Sequence, residues 1–345
     1  MRVNVYPGHP SAGTPAIASR TSTPGTASIA TVAARAGVSI ATVSRVVNGI
    51  ANKAGADTAA RVWAAVQALG YRPDSVGRAL RHRQSRLVAL IAANLANPAM
   101  AAIAASAEAA LRAEGLVMVL CDSHDRPDLQ DEYLLEMRAQ LARATVLLGA
   151  VASPQLTAMT ASGEALLFVN RRNPARPGAP FIGIDNRRAG ADVAAFLRAR
   201  GIERPGILHG DRASSATADR IAGFSAQASG TARSTAGLEH MDIGYRHALD
   251  VLPATGSRRG IFCLSDLIAY GAHRRLTEAG LSVPQDVVLV GFDDNPLNDW
   301  VAPWLSSVRV PYHRFGPAVV AGLREIAQGH DVETVLEHRL VVREA

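Results

Sequence analysis

From residue 87 onward, short aliphatic and β-branched runs alternate with alanine-rich stretches of helical composition. The runs are LVALIAAN, LVMVLCD, TVLLGAVAS, ALLFVN, RPGILHGD, RGIFCLSD and DVVLVGFDD. Such alternation predicts parallel sheets, because parallel neighbours need a crossover and a crossover helix covers a sheet face. The runs are apolar nearly throughout, as strands buried on both faces must be. The length of this region predicts two such lobes.

Polar residues stand at the ends of the runs. Asn170 follows ALLFV, Ser265 and Asp266 follow IFCL, and Asp293 and Asp294 follow VVLVGF. Asn94, Asp122, Ser153 and Asp211 occupy similar places. Ligands of open parallel sheets bind outside the carboxyl ends of the strands. Two facing lobes would therefore offer a ring of hydrogen-bonding groups to a small polyol-like molecule. Taken singly, each of these residues reads more simply as the cap of the next helix.

Catalytic signatures are absent from the sequence. There is no G-x-S-x-G elbow, H-E-x-x-H pair or G-x-x-x-x-G-K-[ST] loop, and Lys53 is the only lysine. His209 in LHGD reads as a strand-end hydrogen-bonding group. The Asp293–Asp294 pair lacks the further ligands that acid–base or metal chemistry needs. The expectation is a protein that is not an enzyme and uses no cofactor and no metal.

The N-terminal quarter has a different pattern. Residues 1–25 are rich in Pro, Gly, Ser, Thr and Ala and are expected to be disordered. In SIATVAARAG, Ser28 is placed as N-cap, Val32 and Ala33 as core and Gly37 as the stop. SIATVSRVVN restarts at once with Ser39 as N-cap, so two helices meet across a glycine-bearing turn, as in a helix-turn-helix. In TAARVWAAVQALG, the spacing predicts a third helix with Val62, Trp63, Val66 and Leu69 on one face. Gly70 ends it and Pro73 prevents continuation.

Charge follows the same division. The 345 residues carry a net +6; residues 26–86 alone carry +7 and residues 1–25 another +2, leaving −3 for the remainder. A basic module on a mildly acidic body suits phosphate neutralisation on nucleic acid, although charge runs are also common on plain solvated surfaces. The only cysteines, Cys121 and Cys263, lie in apolar runs, which argues against disulfides or zinc and fits a reducing compartment. No apolar run approaches the roughly 18 residues of a membrane span. A cytoplasmic location with no membrane partner is expected.

Three segments, IATVAARAGVSIATVSRVVN, YRPDSVGRALRHRQSRLVALI and LSDLIAYGAHRRLTEAGLSVPQDVVLVGFDD, closely resemble the lactose/galactose repressor (LacI/GalR) family from about residue 28 to the C-terminus. The resemblance implies an N-terminal all-α helix-turn-helix headpiece with a hinge helix, followed by an α/β two-lobed effector domain like a periplasmic binding protein. The implied boundaries are 26–72 for the headpiece, 73–85 for the hinge and 86–345 for the effector and dimerisation domain. Within the last, lobe 1 takes about 86–184 and 312–339, and lobe 2 about 185–311 and 340–345. It further implies a homodimeric repressor on a palindromic double-stranded DNA operator, with affinity modulated by a small, sugar-like effector. Two alternatives remain at this point: a regulator of the same fold that answers to a protein partner, and a cytosolic solute-binding protein.

Residue by residue, Ser28, Ser39, Thr42, Ser44 and Asn48 match headpiece positions that contact phosphate or support the fold. Ile40, Ala41 and Arg45 match base-reading positions, and Leu80 matches a leucine that wedges into the minor groove at the operator centre. Arg45 can grip a guanine O6/N7 edge with two hydrogen bonds. Asn170, Arg220, Ser265 and Asp293 fall on effector-contacting positions. The sequence departs from the family at NPAM (Asn97–Met100), which lacks the usual aromatic pair and argues against a purine effector. It departs also at Ser265, in a headpiece loop about one residue longer than usual, and in a shortened segment between Phe224 and Tyr245.

Overall fold

The computed structural model describes residues 28–47, 55–71, 85–229, 232–233, 240–253 and 258–343. Asn48, Leu80, most of the hinge segment and the N-terminal extension lie outside the described residues. The chain divides into two units, 1–77 and 78–345.

The first unit contains α1 (Ile29–Ala36), α2 (Ile40–Val47) and α3 (Ala56–Leu69). Ser28 starts α1 through a capping box: its Oγ accepts from Thr31 N at 3.2 Å, while Thr31 Oγ1 accepts from Ser28 N at 2.9 Å. Gly37 ends α1 in the left-handed region (φ 64°), where its N–H reaches the carbonyls of Ala33 and Ala34. Ser39 then accepts from Thr42 N at 3.2 Å and starts α2. The chain turns by 103° between the two helices, within the helix-turn-helix range.

Val32, Val43 and Val62 are fully buried and hold the three helices together, with Ala33, Ala36, Ala65 and Val66 around them. Trp63 does not join them. It is 46% exposed, whereas Val62, Ala65 and Val66 form the inward stripe. At about 100° per residue, the position after Val62 falls beside the i, i+3, i+4 stripe rather than on it.

The second unit has two six-stranded sheets. In the first, β1 (Leu87–Ala92), β2 (Val117–Asp122), β3 (Ala144–Leu148), β4 (Leu166–Val169), β5 (Phe181–Ile184) and β11 (Glu333–Leu336) run parallel in the order β11-β5-β4-β3-β1-β2. The second contains β6 (Gly206–Leu208), β7 (Ala232–Arg233), β8 (Arg259–Cys263), β9 (Val287–Asp293), β10 (Ser306–Arg309) and β12 (Arg339–Val341). Its order is β12-β10-β9-β8-β6-β7. Here β12 lies antiparallel on β10, a departure from the wholly parallel expectation. Strands β5, β7, β10, β11 and β12 have no counterpart among the seven sequence runs. Each has two to four residues, too few to show a pattern without their partners.

The helices between strands are α4 (Pro98–Ala113), α5 (Pro127–Ala139), α6 (Pro154–Ala161), α7 (Asn186–Ala199), α8 (Ser215–Ser225), α9 (His240–His247), α10 (Asp266–Glu278), α11 (Asn298–Val301) and α12 (Tyr312–Ala327). The chain passes between sheets after β5, after β10 and between β11 and β12. One core runs from Leu90, Val146 and Ile182 of the first sheet to Phe262 and Phe292 of the second, with Phe224 of α8 among them. Helices α7 and α8 touch backbone to backbone. A Cβ on Gly190 would lie 2.1 Å from the Arg220 carbonyl oxygen, and one on Gly223 would lie 1.8 Å from that of Arg187. Only glycine permits this approach, and it sets the position of Arg220. No single helix among the described residues is long and apolar enough to cross a membrane.

Candidate functional site

Helix α2 has two chemically different sides. Val43 is buried, and Val46 and Val47 pack on the same small core. Ser39, Ile40, Ala41 and Arg45 are exposed, Ile40 at 52%, while Thr42 and Ser44 are half-buried. An exposed isoleucine and an exposed arginine on a helix anchored by Val43 can meet thymine methyl groups and guanine edges.

In the second unit, Arg220 points from the middle of α8 and is 8% exposed. Its Nε donates to Asn186 Oδ1 at 2.8 Å and its Nη1 donates to the Leu264 carbonyl at 2.9 Å. Its guanidinium carbon lies 3.4 Å from the centre of the Phe292 ring. Burial pushes this guanidinium down to about 10, opposed by the nearby Asp293 carboxyl.

Asp293 closes β9 with φ 108°, a conformation that L-residues rarely adopt. Its carbonyl accepts the Tyr312 hydroxyl at 2.6 Å. Its carboxyl is only half-buried by accessible surface, yet the enclosure raises it to about 8, with the Arg220 charge pulling the other way. Among the described residues this carboxyl takes no hydrogen bond and makes no direct ion pair with Arg220. A donor and an acceptor thus face each other with their pairing incomplete, which suits a ligand hydroxyl between them.

Asp294 is different. Its oxygens are held by Arg309 and by Arg343 Nη1, the latter at 2.7 Å, and its N–H bonds Ser307 Oγ. Asp266 is likewise internal, accepting from Ser307 Oγ (2.6 Å), Asn295 N (2.7 Å) and Asn298 Nδ2 (2.9 Å). Burial raises it to about 6. These two acids brace the loop that presents Asp293.

Asn170 follows β4 in the left-handed region (φ 67°), with its backbone N–H on the Ile182 carbonyl and its side chain half-buried. Ser265 is 2% exposed; its Oγ caps α10 by accepting from Ile268 N at 3.3 Å and lies 3.0 Å from His240 Nδ1. The cap reading describes its hydroxyl. Asn97 caps α4, and Met100 is buried where the family has an aromatic.

Three further residues escaped sequence reasoning. Asn186 fixes Arg220; the APFIGIDN segment carries a strand-end polar residue, but its short strand was not recognised. Tyr312 holds Asp293 from a crossover. Arg171, adjacent to Asn170, donates to Asp125 at 2.5 Å and opposes the charge on Arg220.

A model described as bacterial regulatory proteins, lacI family, matches residues 28–74, and a periplasmic binding protein-like domain matches residues 194–345. The uncharacterized HTH-type transcriptional regulator in the aml 5′ region of Streptomyces limosus is 34% identical over 345 residues, which cover 94% of this chain and 96% of that one. The chain belongs to the LacI family. A second relative, the HTH-type transcriptional repressor PurR of Photorhabdus laumondii, is 30% identical, covering 92% of this chain and 96% of its own. The Lac repressor dimer bound to operator and the anti-inducer ONPF superposes with a TM-score of 0.79 at 24% identity, over 90% of this chain and 96% of that one. The complex of the transcriptional regulator CelR with cellobiose gives 0.64 at 26% identity, over 92% and 99%. This LacI-family chain is a DNA-binding transcriptional regulator, as the names of these two relatives are those of a transcriptional regulator and a transcriptional repressor.

Proposed function

We propose that the chain is a homodimeric cytoplasmic repressor that binds a two-fold operator and changes its DNA affinity when a small sugar-like effector binds. The headpiece is assigned to about 26–72, the hinge to 73–85 and the effector domain to 86–345. Ile40, Ala41 and Arg45 read base edges, while Ser28, Ser39, Thr42, Ser44 and Asn48 serve phosphate contacts and headpiece support. Leu80 enters the minor groove. The effector lies between Arg220 and Asp293 with Asn170 at its edge, and Ser265 supports the site through α10.

The observation that carries the reading is the division of α2, whose Val43 is buried and whose Val46 and Val47 are half-buried on the same core, while Ile40, Ala41 and Arg45 are exposed. For the dimer, the support is a set of exposed apolar side chains in both sheets' layers. They include Val117 and Leu120 on the edge strand β2, and Trp300 (84% exposed) and Val301 on α11. Faces of this kind are commonly covered by a second copy. The sugar-like effector is supported by the incomplete hydrogen bonding of Arg220 and the Asp293 carboxyl within the protein and by the cellobiose complex of the CelR neighbour. Effector binding would shift a lobe equilibrium that the hinges transmit to DNA.

Selection of bound duplexes from a random pool tests the DNA part. A palindromic motif is expected; a blank with and without pooled sugars would count against it. Calorimetry against a sugar panel tests the effector part, with saturable heat from one compound expected and lost in Asp293→Asn.

A further inference from the structure

Apart from the Arg220–Asp293 cleft, the second unit contains a cavity of about 700 Å³. Its walls come from the loop after β9 (Asp294, Pro296), the crossover after β10 and the crossover between β11 and β12. The volume is in the range of small-molecule sites. Two of the three connections between the sheets therefore border one open-sided pocket.

The charge on these walls is unevenly matched. Arg309 and Arg339 stand directly opposite each other on the antiparallel pair β10–β12. Like charges in that arrangement repel. Arg309 is held by Asp294, but Asp294 also serves Arg343 and so is shared between two cations. Arg314, from the first turn of α12, and Arg339 are both exposed and make no ion pair among the described residues. The remaining acid on the walls is Glu337. Tyr312 supplies a ring on the same wall.

We propose that this cavity is a second ligand site that takes a small organic phosphate of sugar-phosphate size. Its phosphate is held by Arg314 and Arg339, relieving the repulsion across β10–β12, and its body lies against Tyr312. Guanidinium groups suit this task because they offer paired, always-charged donors to phosphate oxygens. Because the walls are inter-lobe connections, a bound phosphate would favour one lobe arrangement. Tyr312 borders this cavity and also donates its hydroxyl to the Asp293 carbonyl. The two sites are thus joined by a single side chain, whatever the Arg220–Asp293 cleft itself binds.

The test is calorimetry of the full chain with ribose 5-phosphate and glycerol 3-phosphate, each against its unphosphorylated parent at matched ionic strength. Saturable binding of at least one phosphate, at least tenfold tighter than its parent, is expected. Arg314→Gln and Arg339→Gln should each weaken it about tenfold or more, equivalent to about 1.4 kcal/mol. Both positions are exposed, so folding should be kept, and operator binding without ligand should equal that of the wild type in both variants. If neither phosphate binds more tightly than its parent, or if binding survives both substitutions, the site is overturned. Unliganded operator binding reads the regulator function separately, so failure of one reading leaves the other visible.

Discussion

The guanidinium of Arg220 rests 3.4 Å from the centre of the Phe292 ring, and Phe292 directly precedes Asp293. The stack ties the height of the cation in the cleft to the strand that presents the acid. Buried contacts of this type contribute about 2 kcal/mol. Two hydrogen bonds, to Asn186 and to the Leu264 carbonyl, complete the clamp.

Arg220→Lys should therefore fail although it keeps a positive charge. An ammonium cannot stack on Phe292 and reach Asn186 Oδ1 and the Leu264 carbonyl together. A stability loss of about 1–3 kcal/mol is expected from the unmade hydrogen bonds, read by urea unfolding. DNA affinity should no longer respond to the sugar that changes it in the wild type. A variant with full sugar response would remove Arg220 from the site.

The acid side of the cleft makes a pH prediction. The Asp293 carboxyl is raised from an ordinary 3.8 to about 8. Between about pH 4 and 8 the folded chain holds a proton that the unfolded chain has already lost, so stability should fall as pH rises through that window. Asp266, raised to about 6, contributes to the lower part of the same fall. Asp293→Asn should flatten the slope between pH 6 and 8 and, between about pH 4 and 6, reduce it to the part that Asp266 contributes. Urea midpoints at pH 5, 6, 7 and 8 for both proteins check this; parallel curves would contradict it.

On the DNA side, Arg45→Ala should weaken binding to the selected duplex by about 1–3 kcal/mol and relax preference at one base pair per half-site. Its side chain is exposed, so thermal stability should stay within about 0.5 kcal/mol of the wild type. A uniform loss on all duplexes, with preference intact, would instead make Arg45 a phosphate contact.

Gly223→Ala adds one methyl group 1.8 Å from the Arg187 carbonyl oxygen. Helices α7 and α8 must separate, at an expected cost of about 1–3 kcal/mol. Arg220 moves with α8, so sugar affinity should fall together with stability. Unchanged affinity in a destabilised variant would show that the helix contact is structural only.

Much of the headpiece was legible because its determinants are local. Ser28, Gly37 and Ser39 act on backbone groups within four residues of themselves, so type and spacing were enough. Trp63 was misplaced because its apolar character said nothing of which side of the stripe it occupied. In the second unit the long apolar strands declared themselves, while β5, β10, β11 and β12 depend on partners distant in sequence.

The candidate cleft shows where the division falls. The sequence by itself determined that polar residues end the strands, that an arginine sits in ADRIAGF and that two aspartates follow GF. Composition and spacing do not distinguish those chemically identical neighbours, and only the family resemblance singles out Asp293. Tertiary structure did so by delivering Arg309 and Arg343 to Asp294 from 15 and 49 residues away, while Asp293 was left half-buried opposite Arg220. Residue type travels with the chain and can be read locally. Whether a charge is satisfied, shifted or left available depends on groups that only the folded packing brings within reach.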